Sequence, residues 1–204
     1  MSLPEIATTN NSTMYSTIIR LAILFVLIGI TLIFMNKKAQ SAQEKRSTML
    51  AKKYKVMTKE LLDSTPDEDL LDAVAANLME KVNKQSPDPL HEFALLSPGR
   101  FQLYSVWLIM NELKNGGSFN SLLAGPSAVF SETAADGFDR IEAHACANAV
   151  RDALQVGDEW EKLSDCNEAY ANAVAEENPK NLCIDYIRNC YTEFIDESTE
   201  EPNE

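Results

Sequence analysis

The chain has 204 residues, 45% of them hydrophobic, and carries a net charge of −13 from 18 Lys+Arg and 31 Asp+Glu. That length accommodates one domain with a proper core plus extensions and excludes two large ones. The acidic balance argues against direct binding of nucleic acid, which needs a basic surface.

The charge is unevenly placed. Residues 1–60 hold nine bases and three acids, a net +6, and the other 144 residues hold nine bases and 28 acids, a net −19. The basic part is built around an apolar run: from Thr17 the chain reads TIIRLAILFVLIGITLIFM, with no charge between Leu21 and Met35. With Ile18, Ile19 and a snorkelling Arg20 included, the run approaches the roughly 20 residues that cross a bilayer core. A cleaved signal peptide would put its positive charge before the run and a small-residue cleavage site after it. Here only Arg20 precedes it, whereas Lys37, Lys38, Lys45, Arg46, Lys52, Lys53, Lys55 and Lys59 follow, which favours a retained anchor.

Lys and Arg beside a span keep their side in the cytoplasm. The expected arrangement is therefore a single-pass protein of the cell membrane. Residues 1–16 lie outside, 17–35 span, and the chain from Asn36 onward is cytoplasmic. Asn10 and Asn11 fit the N-x-S/T pattern, which has meaning only in a glycosylating compartment. The membrane-proximal set Lys37, Lys38, Lys45, Arg46, Lys52, Lys53 and Lys55 suits anionic lipid headgroups, at about 1 kcal/mol per charge, or serves only to fix topology.

Between Asn36 and Ser64 there is no Gly or Pro, and good helix formers dominate, so residues 36–62 are read as a basic helical stalk. Leu50, Tyr54, Met57 and Leu61 recur at helical spacing, giving its inner end an apolar stripe that docks on the domain or pairs with a second copy.

Residues 63–195 read as an all-α acidic domain, with no strand-like alternation. Thr65-Pro66 is a helix-start signature, with Asp67, Glu68 and Asp69 at the positive end of the helix dipole and Leu70 or Leu71, Val74, Leu78 and Val82 as the apolar face. Ser97-Pro98 repeats the device. The helix behind it carries Phe101, Leu103, Tyr104, Val106, Trp107, Leu108, Ile109, Met110 and Leu113 almost all round its axis, which marks a central helix. One further helix is predicted over about Ser131–Val156, with small alanines at 143, 145, 147 and 149. A stripe of Leu163, Cys166, Tyr170, Ala173 and Val174 forms the next, ended by Asn178-Pro179, and a last helix places Cys183, Ile187, Cys190, Tyr191 and Phe194 on one side. Residues 196–204, DESTEEPNE, contain nothing apolar and are expected to be a disordered acidic tail.

At the end of the central helix stands NELKNGGSFNSLL, Asn111 to Leu123. The helical wheel puts Glu112 partly out of water, and Asn115, Gly116 and Gly117 form a helix stop whose backbone N–H groups can turn back toward its carboxylate. Glu112 is then a staple that lets Phe119 and the Leu122-Leu123 pair fold onto the core. The alternative is a general acid or base in a hydrolase, which lacks an evident partner.

These residues carry a resemblance. Leu103-Tyr104, NELKNGG with Phe119 after it, FDRIEAHACANAVRDAL, LSDCNEAY and YIRNCYTEF resemble the small all-helical family of DNA mimic proteins over about residues 63–195, chiefly at Glu112, Gly116, Gly117, Phe119, Ile141 and Ala143. Two departures stand out: Ser118 lies between the glycines and Phe119, and Glu142 stands where the family pattern commonly has glycine. The resemblance implies an acidic dimer whose surface carboxylates imitate DNA phosphates and occupy the DNA-binding face of a transcription factor. Those surface positions follow no motif and do not carry over residue by residue.

A duplex presents one negative charge per roughly 1.7 Å, so a mimic needs dense rows of carboxylates on a rigid face. The acidic clusters available are Asp67, Glu68, Asp69 and Asp72, then Asp136, Asp139 and Glu142, then Asp158, Glu159, Glu161 and Asp165. Signals for catalysis, metal or cofactor are poor. His91 and His144 have no spaced ligand partner; Cys146, Cys166, Cys183 and Cys190 make no C-x-x-C pair and are expected to be free thiols, Cys183 and Cys190 in the core; and no Gly-rich phosphate loop is present. The expectation is a non-enzyme without metal or cofactor: a membrane-anchored acidic module that captures a basic cytoplasmic protein, with a homodimer as the implied oligomer. The alternative is an immunity or regulatory subunit that holds one partner through apolar surface.

Overall fold

The computed structural model describes residues 45–83, 85–114, 117–157 and 159–196, and the chain divides into two units, 1–48 and 49–204. Of the first unit residues 45–48 are described and are helical, with Lys45 and Arg46 exposed. The expected outer segment 1–16, the span 17–35, Lys37 and Lys38 lie outside the described residues. Among the described residues no helix is long and apolar enough to cross a membrane.

The second unit is all-helical over its described residues. After a helical stretch at 49–53 come α1 (Lys59–Ser64), α2 (Asp67–Lys81), α3 (Pro89–Ala94), α4 (Pro98–Lys114), α5 (Phe119–Leu123), α6 (Ser131–Arg140), α7 (His144–Val156), α8 (Trp160–Glu177) and α9 (Pro179–Asn189). Two 3-10 segments, Pro126–Phe130 and Tyr191–Glu193, complete it.

The central helix is α4, which buries Leu103, Tyr104, Val106 and Ile109 and meets α2, α3, α5 and α6. Ser97 caps it, its hydroxyl oxygen accepting the Arg100 N–H at 3.3 Å. Around its first turns the rings of Phe93, Phe101, Tyr104 and Phe130 form one aromatic cluster, with Phe93 and Tyr104 stacked at 4.3 Å between centroids. A second cluster, Phe119, Tyr170 and Phe138, joins α5, α8 and α6 through edge-to-face contacts.

The apolar stripe of the expected stalk is part of this core. Tyr54 and Met57 are fully buried, and Leu50 and Leu61 pack beside them, so the chain from Leu50 inward belongs to the body. The reason is polar as well as apolar: Asn77, buried in α2, donates to the Tyr54 carbonyl at 2.8 Å and holds that segment down.

Four local readings change. Thr65 is not the N-cap of α2; it is buried at the end of α1, where its hydroxyl meets the Leu61 carbonyl at 2.6 Å and the Tyr54 hydroxyl at 3.1 Å, and Pro66 takes the cap position. The single helix expected over Ser131–Val156 is two, broken at 141–143. The last helix stops at Asn189, and Phe194 reaches the core from the turn beyond it.

The fourth concerns Asp196, placed by composition at the head of the tail. Its backbone N–H donates to the Met57 carbonyl at 2.7 Å, and its side-chain oxygens accept from the Met57 N–H at 2.7 Å, Asn77 at 3.1 Å and Lys81 at 2.8 Å, with Arg100 at 3.6 Å. Residues 197–204 lie outside the described residues. Arg188 of α9 closes the other side of the seam, donating to the carbonyls of Leu62 and Thr65, each at 2.6 Å.

Candidate functional site

The glycine-containing turn after α4 closes on backbone, not on the Glu112 carboxylate. A Cβ at Gly117 would stand 2.1 Å from the Glu112 carbonyl oxygen, so only glycine allows that approach. Glu112 itself is exposed, and its carboxylate accepts from the buried Ser127 hydroxyl at 3.0 Å, tying α4 to the 3-10 turn at Pro126–Phe130. The partial withdrawal from water read from the helical wheel, and with it the staple to the helix's own turn, gives way to this arrangement; Asn115 and Gly116 lie outside the described residues. The burial on which a hydrolase reading of Glu112 depended is absent.

Ser118, the apparent insertion, has a role. It is the N-cap of α5 in a reciprocal capping box with Ser121, and the next N–H, that of Phe119, donates to Asn167 of α8 at 2.8 Å. Phe119 and Leu122 are thereby fixed in the core.

The Ile141–Ala143 corner is a Schellman stop. The Ala143 N–H reaches the Phe138 carbonyl at 2.8 Å and the Glu142 N–H the Asp139 carbonyl at 3.0 Å, while Glu142 takes a left-handed φ of 66°. Ile141, Ala143 and Phe138 are buried around it. A left-handed position is one that glycine fills at no steric cost, and Glu142 bears that cost. Glu142→Gly is expected to raise stability by about 0.5–1 kcal/mol, the relief of a left-handed Cβ exceeding the added freedom of the unfolded chain; thermal melts measure it. The new helix end is capped from afar: Glu177, closing α8, accepts the Ala145 and Cys146 N–H groups at 2.7 and 2.9 Å. Burial pushes the Glu177 carboxyl up, and these N–H donors outweigh it and hold it below the usual range.

The acidic clusters differ in how much of their charge is spent internally. Asp67 pairs with Arg188 at 2.7 Å and Asp72 accepts the Trp107 indole N–H at 2.8 Å; Asp69 is half-buried, and Glu68 is exposed, with only its backbone carbonyl meeting Lys180 at 3.2 Å. Asp136 and Asp139 both meet Arg151, at 3.1 and 2.7 Å, and Asp139 also holds His144 at 2.9 Å, which pushes the imidazole up and the carboxyl down. Glu159 is bridged by Lys162 at 2.6 Å, and Asp158 lies outside the described residues.

Exposed acids form a row on the outer face of α8. Glu161, Asp165 and Glu168 are exposed there at spacings of four and three, which puts them on one side of the helix, and among the described residues they form no ion pair. The core stripe of α8, Leu163, Cys166, Tyr170 and Ala173, faces the other way. Asp152 of α7 is also exposed, within electrostatic reach of the Cys166 thiol. At the head of the row Trp160 is 71% exposed. Of this row the sequence clusters contain Glu161 and Asp165; Glu168, Asp152 and Trp160 were missed, though the i, i+4, i+7 spacing of the acids was there to be read.

The lysine set divides between the units, and Lys52, Lys53 and Lys55 are exposed near the start of the body, with Lys53 over the Tyr54 ring at 4.7 Å. His91 is exposed and separate from His144, and among the described residues no group of His, Cys, Asp or Glu stands together as a metal site. Cys146, Cys166 and Cys183 are buried free thiols; burial pushes the Cys183 thiol up to about 12.

No curated protein and no solved structure matches this chain. A family model described as DMP19-like protein matches residues 94–201, 108 of the 204 positions, and takes in the α4 end, the Gly117 turn, the left-handed corner and the whole of α8. The chain belongs to this family of DNA-mimic-like proteins.

Proposed function

We propose that the protein is a non-catalytic, membrane-tethered binding module whose acidic helical body takes up the basic face of a cytoplasmic protein, standing in for nucleic acid. The observation that carries this reading is the α8 row, whose three carboxylates are not neutralised by neighbouring bases, in contrast to the Asp67 and Asp139 clusters. Along the helix axis the row places a charge roughly every 4.5–6 Å. One DNA strand offers one per about 3.4 Å, so a second set of carboxylates is needed beside this row. Trp160 supplies the aromatic anchor that such a charged rim otherwise lacks. The tether and its orientation rest on the uncharged run from Leu21 to Met35 and the eight bases that follow it.

Charge governs partner choice and association rate in such a complex. Crosslinking in intact membranes is expected to trap a protein with a basic surface, and raising salt from about 0.05 to 0.5 M should reduce the yield at least tenfold. A partner retained undiminished at the higher salt would instead support binding through apolar surface.

A further inference from the structure

On the flank of α8, turned away from the acidic row, lies a groove that the proposed function does not use. It has a volume of about 590 Å³, and its walls come from Met110 and Leu113 of α4, Tyr170, Ala171 and Val174 of α8, and Pro179 at the head of α9. That is within the range of sites that enclose a small molecule. Gly117 is also in the wall, and so is Asn167, whose oxygen is occupied by the Phe119 N–H while its amide nitrogen remains a donor.

The charge around the groove runs against that of the domain. Residues 61–204 carry a net −19, yet among the described residues no carboxylate lines this groove, and the charged ones in its wall are Lys114 and Lys180. Both are exposed; Lys114 forms no ion pair among the described residues, and Lys180 spends one of its three protons on the Glu68 carbonyl at 3.2 Å. An apolar trough edged by two cations within an otherwise anionic surface selects against the basic partner assigned to α8 and favours an anion with an apolar body.

We propose that the groove between α4, α8 and the start of α9 binds a small amphiphilic carboxylate, its apolar part against Met110, Leu113 and Val174 and its carboxylate between Lys114 and Lys180. The site is independent of whatever the α8 row binds. Burial of the apolar part supplies most of the affinity, and the lysines supply discrimination between an acid and its neutral isostere.

The test uses the full chain in nanodiscs of neutral lipid, with carbon-13 methyl labels on methionine and 4-phenylbutyrate as the probe. Empty nanodiscs serve as the partitioning control. The Met110 methyl signal should shift saturably with 4-phenylbutyrate, and 4-phenylbutanol should bind about five- to tenfold more weakly. The Lys114→Met/Lys180→Met double variant should erase that preference while its melting temperature stays unchanged. Val174→Trp, which fills the trough, should abolish the shift for acid and alcohol alike. A linear, unsaturable shift, equal affinity for acid and alcohol, or a preference that survives loss of both lysines would each overturn the proposal.

Discussion

Replacing Asp196 by alanine is expected to lower the unfolding free energy by about 3 kcal/mol, although composition assigns this residue to a disordered tail. The side chain is 11% exposed and ties together three separate parts of the body: the Met57 segment, α2 through Asn77 and Lys81, and α4 through Arg100. Truncation removes the acceptor but leaves the donors. The Met57 N–H and the half-buried Arg100, 15% exposed, would then face a site with no carboxylate. Arg100 keeps its bonds to the carbonyls of Glu193 and Ile195, which is why the loss stays near 3 kcal/mol and does not unfold the chain. Asp196→Asn should fall between, since it retains an acceptor oxygen but loses the charge.

The same carboxylate gives the protein an acid limit. Burial raises its pKa, but Lys81, the Met57 N–H and Asn77 outweigh burial and hold it below the ordinary aspartate range. A carboxyl depressed by folding contributes stability that is present above its unfolded value, near 4, and lost as pH falls through the folded value. Denaturant midpoints of the wild type should therefore drop below about pH 4, and the difference between wild type and Asp196→Ala should shrink over the same interval.

Gly137→Val is expected to cost 3 kcal/mol or more, and Gly137→Ala about 1–2 kcal/mol. Gly137 lies where α6 crosses α4: a Cβ there would stand 2.7 Å from both the Gln102 carbonyl oxygen and a Val106 methyl. Neither neighbour can swing aside, because one is helix backbone and the other a fully buried side chain. Alanine gains about 1 kcal/mol of helix propensity over glycine, which offsets part of an overpacking penalty of about 1–3 kcal/mol. Valine adds bulk without that propensity. Equilibrium urea unfolding separates the two; a variant as stable as the wild type would mean that α4 and α6 are not in such close contact.

These two positions also show what the sequence could and could not disclose. Periodicity was enough for the core faces of α2, α4 and α8; the Leu50-Tyr54-Met57-Leu61 stripe does dock, though not on the single helix expected over 36–62, because the chain leaves helix at 54–58 and Tyr54 and Met57 reach the core from that turn. Proline with a preceding hydroxyl marked the start of α4 correctly, because Ser97 caps its own helix. The same device failed at Thr65, where a buried tyrosine hydroxyl and the end of α1 compete for the side chain. Long-range polar contacts leave no local trace. Glu177 caps a helix beginning 33 residues earlier, and Asp196 meets a backbone N–H 139 residues away. The break at Glu142 was hidden because the residue that usually signals a left-handed corner, glycine, is missing; only the family pattern hinted at it. Charge counts likewise located acidic clusters but not which of them are spent on Arg151, Arg188 and the Trp107 indole.

In the proposed complex, carboxylates on the outer face of α8 that form no ion pair among the described residues hold a basic protein. The most direct test is to neutralise that face without changing shape, as Glu161→Gln/Asp165→Asn/Glu168→Gln, and to compare crosslinked partner recovered from intact membranes with the wild-type yield at equal expression. A loss of at least tenfold, with an unchanged melting temperature, is the result expected from removing three charges from a charge-steered interface. Recovery of the same partner at undiminished yield would place the binding surface elsewhere on the molecule.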